Sequence, residues 1–401
     1  MGGVLTRAEE AAAKDKAWKD YAMTERVNYD RQEEIYCQLM YFDEATKSHT
    51  YKEKHAVGMR YTGFEIGTPG EGGYPLYIAL HRGGQTLSNE LYYEDMKKYY
   101  KGSVKNGIYV ACRGIRETYD THFNPESYPL LDRLIQNMIL FKNVDPNRVY
   151  LMGYSAGGDG VYGITPMMAD RFAAVSMSAG HHNHISPVNY MNTPIILQCG
   201  DGDVAFDRYL ETARYGEKLT ALQAQWPEGY IHEVNMHVKK QDVIVDNDPT
   251  RTTQFVWQDS GAWLNTGSYT VAKNTNAVDF LNKFTRNPLP KNIAWDLSTR
   301  APLRLTESFY WLKAPAYMDS GIIYATRNHE NTVTVTTKGV RGTFQILLNW
   351  EMADFYKPVT LVVNGVTRQE KAIPCHEVIE KTTRDRGDIN FQFSAIVDVA
   401  V

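Results

Sequence analysis

From residue 74 onward, apolar runs of strand length alternate with segments whose apolar residues recur every three or four positions. The β-rich runs fall at 74–80, 107–113, 148–154, 172–178, 193–199 and 231–238. Between them, PLLDRLIQNMILF sets Leu130, Leu131, Leu134, Ile135, Met138 and Ile139 at helical spacing, and a second helical segment begins at Asp207. Strand and helix in alternation predict an α/β fold, a mainly parallel sheet with helices on both faces. After about residue 290 the period drops to two. NTVTVTTKGVRGTFQILLNW, KPVTLVVNGVTRQ with its Asn364-Gly365 turn, and INFQFSAIVDV predict a small C-terminal antiparallel β-sandwich, interrupted only by the helical HEVIEKTTRD. RNPLPKNIAWD, with two prolines, reads as the linker.

Residues 7–35 are rich in charge and alanine. Their helix propensity is high, yet they show no wide apolar face. The segment reads either as a loosely attached leader or as an arm that orders against a partner chain. The chain thus divides into a charged helical leader over 1–60, an α/β domain over 61–290, and a linker plus sandwich over 291–401.

Composition narrows the classes. Of 401 residues, 43% are hydrophobic and 22% charged, with a net charge of −4, as in ordinary globular proteins. No basic stripe points to nucleic acid. Cys37, Cys112, Cys199 and Cys375 form no C-x-x-C pair, which argues against a disulfide framework or a metal site and suits a reducing compartment. No apolar run reaches the roughly 18–20 residues of a membrane span, and no signal peptide is visible, so a cytoplasmic location is expected. Met1-Gly2-Gly3-Val4-Leu5-Thr6 fits the short myristoylation pattern at Gly2. Nothing calls for a cofactor.

The chemistry centres on Gly153-Tyr154-Ser155-Ala156-Gly157, a G-x-S-x-G turn after the strand RVYLM and before a glycine-rich helical segment. That arrangement presents a nucleophilic serine on a sharp strand-to-helix turn, and the N–H of the following residue, Ala156, serves the oxyanion. A second oxyanion donor is expected in the loop after 74–80. There the chain reads His81-Arg82-Gly83-Gly84, so Gly83 and Gly84 can donate while Arg82 stands where a glycine is usual. Asp203, just beyond the strand ending in Cys199, is the leading candidate for the acid, with Asp201 and Asp207 behind it. Of 11 histidines, only His232, His237, His329 and His376 follow Asp203, and the loop KKQDVIVDN beyond the last strand holds none.

These features, with YPLYIALHRGG, DPNRVYLMGYSAGGDGVY, MADRFAAVSMSAGH, KFTRNPLP, ESFYWL and KPVTLVVNG, make the chain resemble α/β-hydrolase esterases. The resemblance is to the dienelactone-hydrolase-like and polyhydroxyalkanoate-depolymerase-like group, related to prolyl oligopeptidases and carrying a C-terminal β-sandwich. It covers roughly residues 70–401. It implies roles for Ser155 and Asp203, but the family pattern Y-V-H-x-V-x-I-H-x-G-K-G-H-W-M lays its catalytic histidine on Asp242. An insertion absent from that pattern runs from about 243 to 275. The expectation is therefore a degenerate member, a pseudoenzyme whose leader and insertion contact other protein chains in an assembly of cytoskeletal or ciliary setting. The alternative is an active carboxylesterase or peptidase that recruits His237 as its base. A pocket that only binds a ligand is a third reading.

Overall fold

The structure is a computed structural model that describes residues 4–49, 56–83, 89–200, 203, 205–237, 275–299, 307–328 and 330–401. Eight strands build the main sheet: β1 (Leu39–Phe42), β2 (Val57–Ile66), β3 (Tyr74–Leu80), β4 (Gly107–Cys112), β5 (Val144–Tyr154), β6 (Ala174–Ser178), β7 (Ile195–Gly200) and β8 (His232–His237). Their order across the sheet is β1-β2-β4-β3-β5-β6-β7-β8. From β4 to β8 every pairing is parallel, and only β2 runs against its neighbours. All residues of β4, β6 and β7 are buried, because helices cover both faces of these strands and leave no solvated side to alternate toward. The sheet begins at Leu39, inside the segment that sequence assigned to the leader; LMYF is too short and too mixed to announce a strand before its partner β2 is seen.

The helices of this domain are α3 (Asn89–Tyr99), α4 (Ser127–Lys142), α5 (Ala156–Met168), α6 (Arg208–Gln225) and α7 (Thr275–Leu281). Among the described residues, no helix is long and apolar enough to cross a membrane. The apolar stripe of α4 is wholly buried, with Leu130, Leu134 and Ile135 in the same core cluster as Leu76, Ile78 and Val149 of the sheet.

The C-terminal region forms two packed sheets. One has the order β10-β11-β14-β17, from Ser308–Phe309, Leu312–Lys313, Thr343–Leu348 and Ala395–Ala400. The other is β16-β15-β13-β12-β9, from Val366–Glu370, Val359–Val363, Thr332–Lys338, Ile322–Arg327 and Asn292–Asp296. Two expectations need correction. The stretch read as linker contributes the edge strand β9, since its prolines end just before Asn292 and remove no ladder hydrogen bond within the strand. The sandwich is also not wholly antiparallel: β13 and β15 pair in parallel. The strand between them, β14, lies in the other sheet, so β15 returns in the direction of β13. The one helix of this region is α8 (His376–Arg386).

The leader is two helices, α1 (Arg7–Arg26) and α2 (Tyr29–Cys37), and both dock on the chain's own body. This corrects the expectation of an arm ordered only by contacts outside the hydrolase body. Ala13 and Ala17 pack with Ile379 of α8, and Tyr21 and Ala22 pack with Leu140 of α4. Alanines let the helices approach closely without a broad apolar stripe. Polar groups do the rest. Glu10 is buried and accepts from Trp350 N at 3.2 Å and from Ser394 Oγ, while Trp350 Nε1 donates to Leu5 O at 2.8 Å. Glu34 of α2 accepts from Arg133 Nε (2.8 Å) and Asn137 Nδ2 (2.6 Å) on α4.

A buried ionic cluster joins the two domains. Arg171 donates to Asp132 Oδ1 at 2.6 Å and to Arg386 O at 2.6 Å, and its other nitrogen lies 3.5 Å from Asp388 Oδ2. Arg286 donates to the same Asp388 oxygen at 2.8 Å, and Arg386 donates to Asp170 Oδ2 at 2.7 Å. Phe391 lies beneath both guanidinium groups, 4.7 Å from Arg286 and 4.2 Å from Arg386. Burial alone would push the Asp388 carboxyl up, but Arg286 and Arg171 outweigh it and hold the group below the usual carboxylate range.

Two outcomes follow. Because the folded-state pKa of Asp388 lies below its unfolded value near 3.9, its stabilisation is present above that value and fades as pH falls through the folded one. Asp388→Asn should cost about 3–5 kcal/mol at pH 7, by stranding two buried guanidinium groups, and urea midpoints at pH 7 and pH 3 should show the penalty shrinking in acid. An unchanged midpoint at pH 7 would refute the role. For the leader, α1 should resist limited proteolysis in the isolated protein, and Glu10→Ala should expose it while lowering stability by about 1–3 kcal/mol. Early cleavage within α1 of the parent protein would show that the docking is not stable.

Candidate functional site

The parallel strands all end on one edge of the main sheet, the edge where ligands of open α/β sheets gather. Ser155 stands there, between β5 and α5, with φ 55° and ψ −119°. A non-glycine residue in that region costs roughly 1–3 kcal/mol, so surrounding packing must enforce it. It does so through close backbone approach. A Cβ on Gly153 would sit 2.1 Å from Gly157 O, and one on Gly157 would sit 2.1 Å from Leu80 O. Ser155 N donates to Ser178 O of β6 at 2.9 Å, which ties the turn to the neighbouring strand. The side chain is half-buried, and Ala156 opens α5, so its N–H belongs to the first helical turn, where donors lack intrahelical acceptors.

The loop after β3 is anchored by two histidines. His81 Nε2 accepts from Gly114 N at 2.8 Å, and His122 Nε2 donates to His81 O at 2.8 Å. Burial pushes His81 down to about 4 and His122 well below its usual value, so both are neutral struts. Gly83 follows on this loop; Gly84 lies outside the described residues. Arg82 does not block the serine through any described contact. Its guanidinium lies 4.5 Å from the ring centre of Tyr92 and 3.3 Å from Asp95, both on α3.

Asp203 is buried just past the end of β7, on the same edge as Ser155. Its Oδ1 lies 3.6 Å from Arg208 Nη1, and Cys199 Sγ lies 3.8 Å from its Oδ2. Asp207, an alternative acid in the sequence reading, is instead the exposed residue before α6. His237 is the last residue of β8, paired across the ladder with Gly200, so its backbone also reaches this edge. Asp201, Asp242 and residues 243–274 of the insertion lie outside the described residues, as does Gly2.

Sequence reasoning missed a polar cluster beside the serine. Asp159, one helical turn beyond Ser155, accepts from His181 N at 2.6 Å, and burial pushes its carboxyl up to about 6. His181 begins the His-His-Asn-His loop after β6. Its Nδ1 accepts from Asn183 N at 3.0 Å, and His182 Nδ1 accepts from His184 N at 3.0 Å. The His182 ring thereby keeps its proton on Nε2, which lies 2.6 Å from Glu211 Oε2 on α6, whereas His181 Nδ1 also lies 2.9 Å from Asn183 Oδ1. The signals were present, an aspartate four residues after the elbow serine and three histidines after a strand, but neither belongs to a named motif. Among the side chains described, which do not include that of His237, none hydrogen-bonds the Ser155 hydroxyl, and among the described residues no group of histidine, cysteine or carboxylate side chains could hold a metal.

No family model and no curated protein matches the chain. Among solved structures, it is similar to a poly(3-hydroxybutyrate) depolymerase from Bordetella parapertussis at 15% identity, over 45% of this chain and 77% of that one, with TM-score 0.36. A thermostable esterase matches at 17% identity over 62% of this chain and 63% of its own, with TM-score 0.38. A ferulic acid esterase from the anaerobic fungus Anaeromyces mucronatus matches at 18% identity over 49% and 79%, with TM-score 0.30. These likenesses are distant, and the fold rests on the chain's own features. By its strand order, the strained serine turn after β5 and the helices on both faces of a parallel sheet, the chain has the α/β-hydrolase fold.

Proposed function

We propose that this chain is a serine-hydrolase fold kept for a structural or protein-binding role in an assembly, not for ester hydrolysis at enzymatic rates. The observation that carries the reading is the engagement of its histidines. His81, His122, His181, His182 and His232 each use a ring nitrogen on a protein partner other than Ser155. At the position where the resembled esterases carry their base, this sequence has Asp242, and a carboxylate of ordinary pKa near 4 is a poor base toward a serine hydroxyl. The leader supports a partner role: Met23, Val27, Tyr29 and Tyr36 of α1, α2 and their junction are large, apolar and exposed. Its setting would be the cytoplasm.

A second reading, an active serine carboxylesterase or peptidase, draws on the place of His237 at the end of β8. A histidine there shares the sheet edge with Ser155 and Asp203.

A fluorophosphonate probe on the purified protein separates the two. The expected result is labelling of Ser155 at least about 10³-fold slower than for an active serine hydrolase, with the same slow rate in His237→Ala. Rapid labelling that is lost in both Ser155→Ala and His237→Ala would replace the first reading with the second. Light scattering on material from the native source should show a complex larger than the monomer, and a monomer there would remove the assembly role.

A further inference from the structure

A cavity of about 600 Å³ opens at the opposite edge of the main sheet, where β6, β7 and β8 begin. Ala173, Pro194 and Ile231 immediately precede those strands, so the length of a strand, roughly 15–20 Å, separates the cavity from the Ser155 edge. Its far wall comes from the connection between α7 and β9 and from Asn292, the first residue of β9. The volume lies within the range that takes small-molecule ligands, about 300–1,000 Å³.

The lining combines apolar side chains, Met191, Trp226 and Phe284 among them, with three carboxamides, Asn192, Asn287 and Asn292. Trp226 is held in place by Tyr324, whose ring is 7° from parallel to the indole at 6.0 Å and does not itself line the cavity. Each carboxamide is fixed at one end. Asn192 Nδ2 donates to Asn292 O at 2.9 Å, Asn292 Oδ1 accepts from Thr326 Oγ1 at 2.9 Å, and Asn287 Oδ1 accepts from Leu289 N at 3.0 Å. The carbonyl oxygen of Asn192 and the NH2 groups of Asn287 and Asn292 therefore keep defined directions with capacity to spare. The charged residues, Glu228 and Lys291, are exposed and of opposite sign.

We propose that this cavity is a binding site for a neutral saccharide, a mono- or disaccharide unit. A sugar ring has an apolar C–H face that packs on an indole and hydroxyls that both donate and accept, which matches fixed amide N–H and C=O groups. A hydrocarbon ligand would cover the three amides without replacing their water hydrogen bonds, which disfavours it. An ionic ligand would gain from one of Glu228 and Lys291 and lose against the other. The site is independent of any reaction at Ser155.

The test is saturation-transfer NMR and titration of the full chain with cellobiose and maltose, with hexanoate as the apolar anionic comparator. The expected result is saturable binding of at least one disaccharide and none of hexanoate. Kd should rise about tenfold or more in Trp226→Ala and Asn292→Ala, and stay unchanged in Ser155→Ala. Since Trp226→Ala risks unfolding through its contact with Tyr324, Asn287→Ala at an exposed position is the deciding variant, and it should weaken binding while keeping the parent Tm. Absence of saturable binding to both sugars overturns the proposal, as does binding with parental Kd in Asn287→Ala and Asn292→Ala.

Discussion

The architecture depends on the packing of three guanidinium groups against three carboxylates at the junction of the two domains. Arg171 and Arg386 are fully buried, and so are Asp170 and Asp388. Ions in such a place are tolerable only when every partner is present, because removing one strands the others without water. The junction is therefore less tolerant of single substitutions than an apolar seam of the same size, which would lose only area. Arg286, which follows α7 in the chain, belongs to the same cluster and anchors to Asn147 at the base of β5. The strand that presents Ser155 is thus braced, at its other end, by the C-terminal domain.

At the serine end the bracing is of another kind. Glycines without side chains let Leu80, Gly153 and Gly157 meet backbone to backbone, and the positive φ of Ser155 is the result. The surrounding histidines are used as struts or as fixed hydrogen-bond donors. A hydrolase needs one imidazole that is free to accept a proton and held by an acid. The described part of the site holds a buried carboxylate (Asp203), the turn and the helix N-terminus, and its described imidazoles hydrogen-bond other partners.

Much of this was legible in the sequence. The six strand runs from 74 to 238 and the α4 stripe carried the fold, since periodicity reports burial directly. The places of Ser155 and Asp203 on one sheet edge were legible because a strand-to-helix turn and a strand-end acid have local signatures. The leader's docking was not, because it rests on alanines and on buried polar groups such as Glu10 and Glu34, whose partners lie hundreds or about a hundred residues away. The parallel pair in the sandwich escaped for a similar reason: alternation reveals a strand and its faces, not the sheet its predecessor joined. Asp159 and the paired histidines were invisible as a cluster until α5 and the β6 loop came together.

The position of α1 also orders events during synthesis. Its helix leaves the ribosome well before the groups that receive it, Trp350, Ile379 and Ser394. The main sheet can assemble while α1 still waits beside it, with Ala13, Ala17 and the Glu10 carboxylate facing water. Docking of α1 then becomes a closing event, completed only after β17 has emerged. Until that moment the nascent chain carries an unsatisfied helix, a surface open to cellular folding factors.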